Sequence, residues 1–234
     1  TGALLASTPN TAVHAHHTLC LLGLKPGLFT GQGRDAAGQV WLDMLGIDTQ
    51  HAPSAWLAGP PPSTARAHAS HKGSFGDVVV LGGASGMTGA ALLAGSAALH
   101  GGAGRVFVGL LEEKGDTHAL THALVASQPE LMLRAPDTLD LTGAAVVCGC
   151  GGGEAVQAVL PRVLAQSARL VLDADALNAL AADPALQGGL RQRATDQRAT
   201  ALTPHPLEAA RLLGCSTAQV QGDRFHAARA LAER

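Results

Sequence analysis

From residue 71 onward the chain repeats one unit, a short apolar run followed by a stretch of helical length. "DVVVLGG" (77–83) leads into "GAALLAGSAALHGGAG" (89–104), and "RVFVGLL" (105–111) into "EKGDTHALTHALVAS", which reads as a helix followed by "PELMLR". "AAVVCGC" (144–150) leads into "EAVQAVLPRVLAQ", and "ARLVLDAD" (168–175) into the short helix "ALNALAAD". "ATALTPH" (199–205) leads into "PLEAARLLG", with Gly214 as its stop, and "AQVQGDRFHAARALAER" reads as one more helix. The runs do not alternate apolar with polar, as a strand buried on one face would. Continuous β-branched runs are what a strand buried on both faces needs, so the pattern predicts an α/β fold with a mostly parallel sheet covered by helices.

Such a fold needs a large core, and 47% hydrophobic residues in a chain of 234 supply one. Aromatics are only 3%, so helices must pack closely on the sheet through Ala and Gly. A net charge of -2 with no Lys/Arg cluster argues against a nucleic-acid partner. No run of about 18 apolar residues is present to span a membrane, and no signal peptide is visible. The four cysteines (Cys20, Cys148, Cys150 and Cys215) include a Cys-x-Cys pair, too few ligands for zinc without partners. They read as thiols in a reducing compartment, and a cytoplasmic location is expected.

Residues 1–50 read differently. "HTLCLLGLKPGLFTGQG" is a strand-like run, a Lys-Pro-Gly turn and a Gly-rich loop, and "GQVWLDMLGID" is a last short strand. Alternation could place His14 and His16 on one face, as a metal pair or as a solvated edge. Residues 51–70 are rich in Pro, Ala and Ser and read as a connector. The chain starts at Thr1 and stops inside the helical pattern of "AARALAER", so both ends read as cut.

In an open parallel sheet, ligands bind beyond the carboxyl ends of the strands. Four strand ends here carry glycines or polar side chains: "GGASGMTGA", "GCGGG", "DADALN" and "TPHP". In the first, Gly86 and Gly89 open a helix, where bare backbone lets a ligand approach and free N–H groups favour anions. It lacks the Gly-Lys-Ser/Thr of a P-loop and is no clean dinucleotide fingerprint. In "GCGGG", Gly151 and Gly153 repeat the device. Asp173 ends a strand and faces the site, whereas Asp175 reads as a helix cap and Asn178 as a solvated position. His205 lies between Pro204 and Pro206, which fix the backbone on both sides. Glu208 follows in the first helical turn, where a carboxylate complements the helix dipole. An imidazole so held can bond a substrate hydroxyl or amide, or shuttle a proton; the bland alternative is a rigid turn.

"HKGSFGDVVVLGGASGMTGAALLAGSAALHGGAG" (71–104), "LDADALNAL" (172–180) and "LTPHPLEAARLLG" (202–214) together resemble the ADP/ATP-dependent NAD(P)H-hydrate dehydratases, which are ribokinase-like α/β enzymes. "VVCGCGGG" stands where that family has a Gly-Pro-Gly-Leu-Gly turn, with Cys150 in place of the proline, a departure expected to loosen the turn. Residues 1–50 are similar to the closing strands of the NAD(P)H-hydrate epimerase domain that bacteria often fuse upstream. The resemblance therefore implies three segments: an epimerase tail (1–50), a linker (51–70) and a dehydratase domain (71–234) that is incomplete at its C-terminal end.

The reaction so implied is repair. The S epimer of NADHX or NADPHX, the hydrated dinucleotides, is returned to NAD(P)H at the expense of ADP or ATP, with Mg2+; the epimerase part would use K+. The resemblance places Ala90, Gly86, Gly89, Gly151 and Gly153 near the substrate, has His205 bind it, and has Asp173 line the same cleft. It also implies that the Lys-Gly-x-x-Thr nucleotide segment and the Gly-Thr-Gly-Asp loop with the catalytic Asp would follow residue 234. No catalytic residue is then expected within the chain, and its 234 residues should be inactive alone, with an open sheet edge. Homo-oligomers of four or more subunits are expected by analogy. Two rival readings stay open: a ribokinase-like kinase of a vitamin-precursor alcohol, and a non-enzymatic dinucleotide-binding module.

Overall fold

The computed structural model describes residues 12–48, 52–61, 65–111 and 128–234. The chain forms two compact units, one of residues 66–212 and one of residues 1–65 with 213–234.

The larger unit is a six-stranded sheet in which every pairing is parallel. Strands β3 (Asp77–Gly82), β4 (Arg105–Leu110), β5 (Leu131–Leu133), β6 (Ala144–Cys148), β7 (Arg169–Leu172) and β8 (Thr200–Leu202) lie in the order β5-β4-β3-β6-β7-β8. The α/β architecture read from the apolar runs is therefore present. Val79 and Leu81 of β3 join one core, with β6, β7 and the helices α3 (Val156–Gln166), α4 (Asp175–Ala182) and α5 (Pro184–Thr195). Val80, between them, joins a second core with β4 and α2 (Thr88–His100). Since alternate residues of a strand point to opposite faces, the helices cover both sides of the sheet.

The chain builds β3, β4 and β5 outward in one direction, then returns to the other flank of β3 for β6, β7 and β8. The order thus reverses between β3 and β6. That is the switch point at which open α/β sheets leave a crevice for ligands.

The smaller unit holds β1 (His17–Leu21) and β2 (Gln39–Asp43), paired in parallel. Leu19, Leu21, Trp41 and Leu42 on these strands are all exposed, unusual for parallel strands, which are normally covered on both faces.

Several expectations change. The Gly-rich segment after the Lys-Pro-Gly turn is a helix, α1 (Gly31–Ala37), that packs Ala36 and Ala37 inward. Helix α5 was not legible in the apolar pattern, because Gln, Arg and two glycines interrupt it. Its start signal is nevertheless there: Pro184 at the first position and Asp183 accepting from the Ala185 N–H at 2.7 Å. The single C-terminal helix is two, α7 (Thr217–Gly222) and α8 (Arg224–Ala232). Asp223 divides them, its side chain accepting from the His226 N–H to cap the second. The strands at 168–175 and 199–205 are shorter than read, releasing Asp173 and Thr203–His205 into loops. The helix read at "EKGDTHALTHALVAS" lies outside the described residues. Among the described residues no helix is long and apolar enough to cross a membrane. No cluster of three potential metal-ligating side chains occurs among them. His17 instead accepts from the Trp41 indole N–H at 3.2 Å, and His14 and His16 are exposed.

Candidate active site

The glycine loop after β3 and the glycine turn after β6 meet across the switch point. The Gly83 N–H donates to the Cys150 carbonyl at 3.0 Å, and the Ala84 N–H to the Gly151 carbonyl at 2.6 Å. A side chain at Gly82 would place its Cβ 2.4 Å from the Cys150 oxygen, so only glycine allows this approach. Cys150, expected to loosen the turn, is thus part of a turn stitched to its neighbour.

The next link joins this turn to the β7 end. The Asp175 carboxylate accepts a hydrogen bond from the Gly153 N–H at 2.8 Å. Asp175 is the first residue of α4, yet its side chain does not cap its own helix. Spacing alone pointed to a local cap; the fold offers a partner 22 residues away. Between the two aspartates, Ala174 has φ +48, a left-handed conformation that costs a non-glycine residue on the order of 1–3 kcal/mol. Strain of this kind concentrates where surrounding structure holds a site in shape.

The last link reaches β8. The Thr203 hydroxyl donates to Asp173 Oδ1 at 2.8 Å, and the Cys150 thiol lies 3.5 Å from Asp173 Oδ2. Partial burial, then the charge of Asp173, pushes the Cys150 thiol up to about 11. Cys150 is therefore a protonated donor near neutral pH. Four consecutive strand ends (β3, β6, β7 and β8) are in this way joined by one series of hydrogen bonds.

His205 stands at the end of that series. Its carbonyl accepts from the Ala209 N–H at 2.9 Å, starting helix α6 (Pro206–Leu213), and its own N–H donates to Glu208 at 2.8 Å. Glu208 thus closes the acidic half of a capping box around His205, beyond the dipole role read from sequence. The imidazole is exposed and makes no hydrogen bond among the described residues. Asn178, read as a solvated position, accepts from Arg211 at 2.5 Å and ties α4 to α6.

Gly86 and Gly89 face open space: a Cβ built on either would meet no atom within 4 Å. Ala90 is half-buried in the first turn of α2, and Gly151 would press a Cβ against it at 3.0 Å. The first turn of α2 therefore presents bare backbone to the crevice, a setting for an anionic group. A cavity of about 720 Å3 lies at the opposite, amino ends of the strands, among Gly73, Phe75, Asp77, Gly101, Ala145 and Arg169. None of the sequence-predicted residues lines it, and ligands of open α/β sheets bind at the other, carboxyl ends.

Comparison with known proteins bears on the fold and the family. The chain is 37% identical over 249 aligned residues to the bifunctional NAD(P)H-hydrate repair enzyme of Escherichia coli, covering 97% of this chain and 44% of that protein. It is 43% identical over 179 residues to the ADP-dependent (S)-NAD(P)H-hydrate dehydratase of Neisseria meningitidis, covering 74% and 57%. The chain thus spans about half the length of the curated relatives it matches. Among solved structures, the Bacillus subtilis ADP/ATP-dependent NAD(P)H-hydrate dehydratase co-crystallised with ATP/Mg2+ is similar with a TM-score of 0.55 and 29% identity, over 72% of this chain and 58% of that one. A ribokinase-like superfamily protein from Enterococcus faecalis is similar with a TM-score of 0.55 and 26% identity, over 73% and 58%. Residues 78–234 match the NAD(P)H-hydrate dehydratase family model, and on that match the chain belongs to the NAD(P)H-hydrate dehydratase family.

Proposed function

We propose that residues 71–234 form the hydrated-dinucleotide side of a dehydratase that returns the S forms of NADHX and NADPHX to NAD(P)H at the expense of ADP or ATP. The observation that carries this reading is the linked set of strand ends at the switch point, with His205 free at its edge. The family match and the names of the relatives supply the substrate class.

In this reading Gly86, Gly89 and Ala90 at the start of α2, with Gly151 and Gly153, let the dinucleotide approach the backbone, and Asp173 lines the same cleft. His205 holds the hydrated nicotinamide ring. The ring hydroxyl takes the terminal phosphoryl group of the nucleotide. Phosphate then leaves with the C–O bond as a ring proton is lost, which restores the double bond. No described residue is assigned the catalytic base. Mg2+ would arrive on the nucleotide phosphates, since it keeps several waters and binds through phosphate oxygens. The exposed, parallel β1–β2 pair supports reading residues 1–50 as the edge of an epimerase sheet, with 51–70 as linker. K+ binding by that epimerase, an assembly of four or more subunits and a cytoplasmic location belong to the same proposal.

The test follows the return of NAD(P)H from its hydrate, with ADP or ATP, in the protein encoded by the complete reading frame. Nucleotide-dependent turnover that falls sharply in His205→Ala is expected. Activity indifferent to His205, or phosphorylation of hydroxymethylpyrimidine in its place, would move the assignment to a small-molecule kinase.

A further inference from the structure

Asp173 has both carboxylate oxygens engaged within the chain. Oδ1 receives the Thr203 hydroxyl at 2.8 Å, and Oδ2 lies 3.5 Å from the Cys150 thiol. The Thr203 hydroxyl also lies 3.2 Å from the Leu172 carbonyl, but it has one proton, and the nearer, charged oxygen is the stronger acceptor. The Asp173 backbone is equally committed. Its N–H donates to the Cys148 carbonyl at 3.0 Å, and its own carbonyl lies where a Cβ on Gly149 would be, at 2.0 Å. The thiol is a donor at this place because burial and the neighbouring carboxylate keep it protonated.

Thr203 is two residues from His205, and Pro204 between them removes one backbone freedom. A rigid path therefore runs from the carboxylate to the imidazole. Ala174, next to Asp173, adopts φ +48, a conformation that the surrounding structure must hold.

We propose that Asp173 is a positioning residue, which sets the loop carrying His205 through Thr203 and the glycine turn through Cys150, and does not itself bind the dinucleotide. This rests on the dehydratase reading of the site and refines how Asp173 lines its cleft. A carboxylate that bound substrate would act independently of Thr203; one that acts through Thr203 loses its effect once Thr203 cannot donate.

A double-mutant cycle in the protein of the complete reading frame separates the two, using calorimetric binding of NADPH hydrate and the Cε1–H proton resonance of His205. Thr203→Val should weaken binding, Asp173→Asn should weaken it at least as much, about tenfold, and the double variant should be no weaker than Asp173→Asn alone, as for residues within one network. Both should shift the His205 resonance, and Thr203→Ser should restore binding and resonance together. Losses that multiply in the double variant, or an Asp173→Asn loss with the resonance unmoved, would overturn the proposal. If the wild-type protein binds no hydrate, the dehydratase reading fails separately. The resonance then decides alone: a shift in both variants supports the positioning role, and none overturns it.

Discussion

Asp175 Oδ2 accepts the Gly153 N–H at 2.8 Å, binding the start of α4 to the glycine turn after β6. Gly153 itself adopts φ +53, so the bond holds a backbone conformation that the turn needs. A hydrogen bond to a charged, half-buried group contributes about 1.5–3 kcal/mol. Asp175→Ala should lower the unfolding free energy by that order, read from urea midpoints, and Asp175→Asn by less. If Asp175 were only a solvated carboxylate, both variants would unfold like the wild type.

Two glycines on either side of the loop between β3 and α2 should respond oppositely to alanine. Gly82→Ala drives a Cβ against the Cys150 carbonyl at 2.4 Å and should cost several kcal/mol or prevent folding. Gly89 lies in open space inside α2, where alanine is the better helix former by about 0.8–1 kcal/mol. Gly89→Ala should therefore raise the melting temperature while weakening hydrate or nucleotide binding. Binding unchanged beside the raised melting temperature would mark the loop as a simple strand-to-helix turn.

Arg193 is 1% exposed. Its guanidinium donates to the Leu164 and Ser167 carbonyls at 3.0 and 2.6 Å, to the Ala199 carbonyl at 3.2 Å and to the Thr200 hydroxyl at 2.9 Å. It thus satisfies the end of α3 and pins the start of β8, the edge strand that leads to His205. Arg193→Met removes this donor from the Leu164 and Ser167 carbonyls and should cost on the order of 3 kcal/mol. Arg193→Lys should recover only part, because one ammonium cannot reach so spread a set of acceptors. Equal stability of Arg193→Met and wild type in denaturant titrations would show that the network contributes nothing net.

Burial pushes the Cys148 thiol from 9.0 up to about 12. A raised folded-state value favours the protonated form, so its stabilising effect is complete below about pH 9 and is lost as pH climbs toward 12. The wild type should lose about 2 kcal/mol from this group between roughly pH 8 and 10.5, in the presence of reductant. Cys148→Ala, which keeps a small apolar side chain, should lack that component. The gap between the two proteins should then narrow at alkaline pH, and parallel stability curves would refute the assignment.

Much of this was legible before any coordinates. Strands β3, β4, β6 and β7 announce themselves because a strand covered on both faces must be apolar at every position. The glycine clusters and the Pro-His-Pro turn stand at strand ends, so their place at one edge of a parallel sheet followed from the strand assignment. Helix α5 stayed hidden because its face toward α3 is narrow and its one deeply buried polar residue, Arg193, looks like a surface arginine in sequence.

What the sequence could determine was local: which segments are strands, where they end, and which residues stand at those ends. The sheet order decided the rest, by putting β6 beside β3, β7 beside β6 and β8 beside β7, and so bringing Gly83 to Cys150, Gly153 to Asp175 and Asp173 to Thr203. Each of these pairs is separated by more than 20 residues, and side-chain periodicity carries no record of a partner at that distance. Asp175 therefore looked like a helix cap and Asn178 like a solvated amide until the packing of α4 against its neighbours gave each an acceptor's role.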